Sequence, residues 1–109
     1  MSNRSGAGPD RPTVLVYAHF DVQPVDPLAL WTAPPFEPSI RDGRIHARGS
    51  SDDKGQLMIH LAALRALFEA DGRLPLNLRV FFEGEEEVGS PNLEAFLDAN
   101  RADLAADPA

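Results

Sequence analysis

Hydrophobic positions fall into five blocks along the chain. Thr13 to His19, TVLVYAH, is a continuous β-branched, aliphatic and aromatic run, the pattern of a strand buried on both faces, and it predicts a central parallel strand. Phe20 to Phe36 carries Pro24, Pro27, Pro34 and Pro35, too many for a regular element, and is expected to be loop. In SIRDGRIHA, Ser39 to Ala47, two short extended arms flank Asp42-Gly43, a favoured type I′ turn pair, which predicts a small hairpin at the rim of the sheet. GQLMIHLAALRALFEADG spaces Leu57, Leu61, Leu64 and Phe68 at helical intervals and closes with Gly72 as C-cap and Pro75 beyond it. LNLRVFFEG, Leu76 to Gly84, predicts the next strand; Ser90 and Pro91 predict the N-cap and first turn of a second helix running to about Ala105. This order makes the fold class α/β. A strand joined through a helix to another strand is almost always a right-handed parallel crossover, with both C-terminal ends on one edge of the sheet. Open α/β sheets bind ligands at that edge. His19, the Asp52-Asp53 pair before the helix, and Glu85 to Glu87 are all expected there.

Composition narrows what such an edge can hold. Seventeen acids against ten bases, with one lysine among the bases, give a net charge of −7, which argues against nucleic acid or an anionic membrane as partner and favours cations. With no cysteine, a metal site must be built from His, Asp and Glu, a donor set that suits zinc or manganese. The 109 residues, 43% of them hydrophobic, allow one domain with one core. Residues 1–12 read as a polar, flexible leader without the apolar segment of a signal peptide, and no later stretch approaches a membrane span, so a cytoplasmic location is expected.

Three short stretches carry candidate chemistry. In FFEGEEEVGS, four glutamates (Glu83, Glu85, Glu86, Glu87) follow an apolar strand. An acidic cluster alone is ordinarily a solvated loop, but neighbouring carboxylates that splay apart can divide labour, one holding a metal while the next receives a proton from water. His19 and Asp21 lie two apart in extended chain, so imidazole and carboxylate point to the same side; such a pair can cap a strand end, or the carboxylate can orient a metal-ligating histidine through its second ring nitrogen. GSSDDKG sets Asp52 and Asp53 at a helix entrance, where plain N-capping, with Asp52 favoured by the helix dipole, competes with a ligand role.

Taken together, HFDVQP, DPLALWTAPPFEP, DGRIHARGSSDDKGQ and EGEEEVGS, in this order and spacing, resemble the M20 family of metallopeptidases, most closely its dipeptidase branch of the carnosine dipeptidase type; the match covers roughly Thr13 to Leu97. The resemblance implies that residues 13–109 form part of a zinc-aminopeptidase-like (phosphorylase/hydrolase-like) catalytic domain, mainly parallel strands with flanking helices and a small hairpin. It implies two zinc ions sharing a water, with manganese or cobalt as possible substitutes, and hydrolysis of a dipeptide or an N-acyl amino acid. By the same resemblance His19 binds one metal, Asp52 bridges two, Glu87 binds the second, Glu86 is the general base and Asp21 orients His19. Asp53 is left as a helix-entry residue, and Glu83 and Glu85 receive no ligand role. His46 and Ala47 stand where relatives commonly have Tyr-Gly; His46 and His60 get no ligand role. Similar enzymes are several times longer, homodimeric, and supply a further acidic ligand, a histidine ligand and a lid domain. The chain is therefore expected to be a piece or truncated product of such an enzyme, a metallohydrolase whose own activity is open. The alternatives are an N-acyl amino acid deacylase, or an inactive module needing a complementary chain.

Overall fold

The computed structural model describes residues 7–108. The elements, in order, are β1 (Thr13–His19), β2 (Ser39–Arg41), β3 (Arg44–His46), α1 (Lys54–Asp71), β4 (Asn77–Glu83), α2 (Leu93–Ala99) and α3 (Arg101–Leu104), with single 3₁₀ turns at Leu28–Leu30 and Glu86–Val88. Strands β1 and β4 pair in parallel, Thr13 opposite Asn77 and His19 opposite Glu83, as the crossover pattern predicts. The hairpin β2–β3 is a separate antiparallel pair, and Asp42 and Gly43 both take positive φ (51° and 72°), the backbone of a type I′ turn. Gly72 closes α1 in the left-handed conformation, donating its N–H to the Phe68 carbonyl. The first six residues of the expected leader lie outside the described residues. Asn77 fastens the next ones, its amide donating to the Gly8 and Arg11 carbonyls at 2.8 and 2.9 Å.

Three sequence expectations are corrected. Ser90 is not the N-cap of the second helix: Gly89 (φ 88°) and Ser90 (φ 50°) are consecutive left-handed residues that reverse the chain, and the helix starts three residues later at Leu93 after Asn92. Nor does that helix run unbroken to Ala105, since it is interrupted at Asn100, whose side chain turns back to donate to the Phe96 carbonyl.

The third correction concerns burial. TVLVYAH has the composition of a strand covered on both faces, yet Val14 is 40% and Tyr17 45% exposed, and among the described residues only Ala18, His19, Gly49 and Glu83 are buried. The reason is the number of layers. One parallel pair has one neighbour per strand, and α1 against β1 with α2 against β4 leave much of both faces open. Helix α1 leaves Met58, Ile59 and Phe68 exposed beside its Arg65–Glu69 ion pair, an apolar load larger than one sheet face covers. The Cα radius of gyration is 17.4 Å, where a compact chain of this length has about 13 Å. Where packing does form, it uses aromatics: Phe81 of β4 stacks on Phe96 of α2 at 5.0 Å and meets Tyr17 of β1 at 5.8 Å. No described helix is long and apolar enough to cross a membrane.

One glycine sets the approach to α1. A Cβ on Gly55 would lie 2.2 Å from the Ser50 carbonyl oxygen, so the 50–55 loop closes only without a side chain there. Gly55→Ala is expected to destabilise the protein by about 1–3 kcal/mol, the usual range for overpacking, and to displace Asp52 inside that loop. A lowered urea midpoint checks this, and an unchanged midpoint would show that the loop reopens freely.

Candidate metal centre

The parallel register carries His19 and Glu83 to the same edge of the sheet, and the site is built on that edge. His19 ends β1 with only 6% of its surface exposed. Its N–H donates to Asp53 Oδ2 at 3.2 Å, so the aspartate at the entrance of α1 grips the end of β1 instead of capping its own helix. The ring is surrounded by carboxylates: Nε2 lies 3.0 Å from Asp52 Oδ1 and 3.7 Å from Glu86 Oε2, and Nδ1 lies 3.3 Å from Asp21 Oδ1. His19, Glu86 and Glu87 each offer a ligand atom within 4.8 Å of one another. The five residues expected at the site come from three separate segments: Asp21, Asp52 and Glu86 approach the His19 ring, and Glu87 joins His19 and Glu86 in a cluster that does not include Asp52.

The four glutamates separate in direction, which resolves the repulsion their spacing suggests. Glu83 turns inward beneath the sheet edge, 8% exposed, and accepts the Tyr17 hydroxyl. That hydrogen bond, then burial and the Glu83 charge, push the Tyr17 phenol up to about 12, so it stays protonated as the donor. Gly84 lets the chain cross the Phe20 ring, since a Cβ there would meet Phe20 Cζ at 2.6 Å. Glu85 faces α2, with both oxygens accepting from the Asn92 amide at 3.0 and 2.8 Å. Glu86 faces His19. Glu87 faces the loop after β1, where Gln23 donates to it from backbone N–H (3.1 Å to Oε1) and side-chain amide (2.6 Å to Oε2, 3.2 Å to the carbonyl). Asp21 spans the two sides, one oxygen at the His19 ring and the other accepting the Glu87 N–H at 2.9 Å.

This arrangement fits a divalent cation. Four carboxylates ring one imidazole, while Lys54, the lone lysine, donates its ammonium to the Phe20 carbonyl. His19 Nδ1 and Asp21 Oδ1 are both buried and, despite their 3.3 Å separation, lack an aligned hydrogen bond. A metal-ligating histidine carries its proton on the nitrogen facing such a carboxylate. Imidazole nitrogen with carboxylate oxygens suits zinc, manganese or cobalt.

The ionisation of the ring and its orienting acid follows from the same contacts. Burial pulls the His19 pKa down, but the Asp52 hydrogen bond, the Glu86 charge and Asp21 outweigh it, and the net shift is above 6.5. Asp21 is shifted below 3.8: burial pushes it up, and the Glu87 N–H and the His19 ring outweigh that. In metal-free protein the His19 contribution to stability is thus fully present below about 6.5 and is lost as pH rises through its raised folded value. The Asp21 contribution is present above its ordinary value and is lost as pH falls through the lowered one. Urea midpoints measured against pH are expected to decline on both sides, and Asp52→Asn is expected to flatten the alkaline decline. An alkaline decline of full size in Asp52→Asn would assign it to another group.

The sequence places Asp53 at this edge only as a helix-entry residue, and it does not point to Gln23 or Asn92. Gln23 stands inside HFDVQP, two positions after the orienting aspartate, and that adjacency is the one signal that could have found it.

Comparison with known proteins gives the family. The model of the family "Peptidase family M20/M25/M40" matches residues 15–108. A cysteinylglycine-S-conjugate dipeptidase of Corynebacterium striatum is 44% identical over 99 residues, which are 90% of this chain and 22% of that protein. Among solved structures, the M20 family metallo-carboxypeptidase Sso-CP2 of Sulfolobus solfataricus superimposes with a TM-score of 0.83 at 45% identity, over 90% of this chain and 22% of that one. Human carnosine dipeptidase 1 superimposes with a TM-score of 0.82 at 34% identity, over 88% of this chain and 21% of that one. The chain spans about a fifth of the length of the relatives it matches. The family match covers nearly all the residues of the chain and the solved structures superimpose over about nine-tenths of it, and the chain belongs to the peptidase family M20/M25/M40.

Proposed function

We propose that this chain forms part of the catalytic centre of a dizinc hydrolase that cleaves the amide bond of a dipeptide. The observation that carries the reading is the meeting of Asp52, Glu86 and Asp21 around the buried His19 ring, with Glu87 beside it, from segments that are remote in sequence. His19 and Asp52 would hold one ion and Glu87 and Asp52 the other, with Asp52 shared. When bound, the ions supply Lewis acidity that lowers the pKa of a water and polarises the scissile carbonyl.

The remaining steps belong to this chain's side chains. Asp21, 3.3 Å from Nδ1, would hold the His19 ring proton there once the ring turns into line, leaving Nε2 with its lone pair free. Glu86, 43% exposed at the side chain and held by no hydrogen bond among the described residues, takes the proton of the attacking water and passes it to the leaving amine. Two protein ligands per ion are fewer than the about three of a catalytic zinc, so the site is completed by groups beyond these residues, and the open faces of α1 and β1 are where that further structure packs.

The test uses the full-length gene product carrying this sequence. It is expected to hydrolyse dipeptides, to lose activity with a chelator and to regain it with zinc. Preference for N-acetyl amino acids over dipeptides would favour the deacylase chemistry of the same site. Hydrolysis that persists with all metal removed would overturn the reading.

A further inference from the structure

The loop after β1 grips Glu87 more extensively than any other carboxylate at the site is held. Gln23 contributes three donor contacts: its N–H to Oε1 at 3.1 Å, its side-chain amide to Oε2 at 2.6 Å, and the same amide to the Glu87 carbonyl at 3.2 Å. Asp21 adds a fourth bond at the Glu87 N–H, 2.9 Å. Both acceptors of the Gln23 amide are oxygens, which fixes its orientation with nitrogen toward Glu87. A carboxylate has about four acceptor positions, and Gln23 occupies one on each oxygen, leaving one on each for a cation. A glutamate has three side-chain torsions, and an unrestrained one would sample many positions; here both ends of the carboxylate are pinned.

We propose that Gln23 is a positioning residue that presets the Glu87 carboxylate for metal binding. The inference rests on the reading of Glu87 as a ligand. Gln23 is neutral, so it orients Glu87 without neutralising it, and the full negative charge stays available to the cation. Asp21 gives this clamp a second consequence. Because one of its oxygens faces the His19 ring and the other holds the Glu87 backbone, the loop carrying Asp21 and Gln23 sets the separation of His19 and Glu87. Contacts of this kind around metal ligands are typically worth about 10–100-fold in metal affinity.

The experiment compares zinc binding by the full-length gene product and its Gln23→Met variant, which keeps the side-chain length and removes both amide donor contacts. Zinc is titrated against a chromophoric chelator, and cobalt(II) substitution reports coordination through its visible absorption. Gln23→Met is expected to weaken zinc binding by about 10–100-fold with an altered cobalt spectrum, at unchanged far-ultraviolet circular dichroism. Should Gln23→Met fail to fold, Gln23→Asn, which keeps the amide but withdraws it by one methylene, is expected to show the same weakening. Wild-type affinity and spectrum in a folded variant would overturn the role of Gln23 while leaving the metal reading intact. Absence of zinc binding by the wild type would overturn both.

Discussion

Glu86→Gln in the full-length, zinc-loaded gene product is expected to lower kcat by about 10²–10⁴-fold, the usual contribution of a positioned proton-transfer group, while zinc content and KM stay near their original values. The substitution keeps the size of the side chain and removes its basicity. The argument turns on how Glu86 differs from its neighbours. Glu83 is buried against Tyr17, Glu85 is held by Asn92 and Glu87 is held by Gln23, whereas Glu86 has no hydrogen-bond donor among the described residues and lies 3.7 Å from His19 Nε2. A proton carrier has to move between water and leaving group, and the free carboxylate of the four is suited to that task. Geometry alone also admits Glu86 as a ligand, since it lies in the same 4.8 Å cluster as His19 and Glu87. Metal analysis separates the roles: activity lost with zinc retained makes Glu86 the base, and zinc lost in parallel with activity makes it a ligand.

What the sequence revealed and what it hid divide along physical lines. Element type was legible wherever periodicity is local: TVLVYAH is β1 residue for residue, the Leu57-Leu61-Leu64-Phe68 spacing lies within α1, and Asp42-Gly43 makes its turn. The convergence of the site was legible because a parallel crossover leaves little choice of edge. The start of α2 was not, since Ser90-Pro91 is a good helix entrance by local preference. The preceding 3₁₀ turn at Glu86–Val88 instead fixes Ser90 in the left-handed region, its N–H bonded to the Glu85 carbonyl at 2.8 Å. Asp53 shows the same override. Its carboxylate has a helix N-terminus at hand and bonds the His19 N–H, a partner 34 residues away that no local pattern encodes. Burial was overread for a different reason: an apolar run reports the environment a strand is made for, and the described residues supply only part of it.

Asp52→Ala carries the other large expected effect, and it tests the shared-ligand arrangement directly. Asp52 sits in the loop between the hairpin and α1, its side chain 74% exposed, with Oδ1 3.0 Å from His19 Nε2. That oxygen approaches the same ring nitrogen that a metal would use, so Asp52 and His19 can address one ion together, and the outward exposure leaves the second oxygen open to another. If Asp52 is shared, removing it takes a ligand from both ions, each already short of the usual about three. Zinc is then expected to fall from two per full-length chain to less than one. His19→Ala and Glu87→Ala each take a ligand from a single ion and are expected to leave about one. Loss of both ions removes their transition-state stabilisation, several kcal/mol, so kcat/KM is expected to drop by at least about 10³-fold. The discriminating quantity is the zinc count: a chain that keeps one ion in Asp52→Ala would make Asp52 an ordinary ligand of the His19 ion, and would leave Glu87 and a group beyond these residues to hold the other.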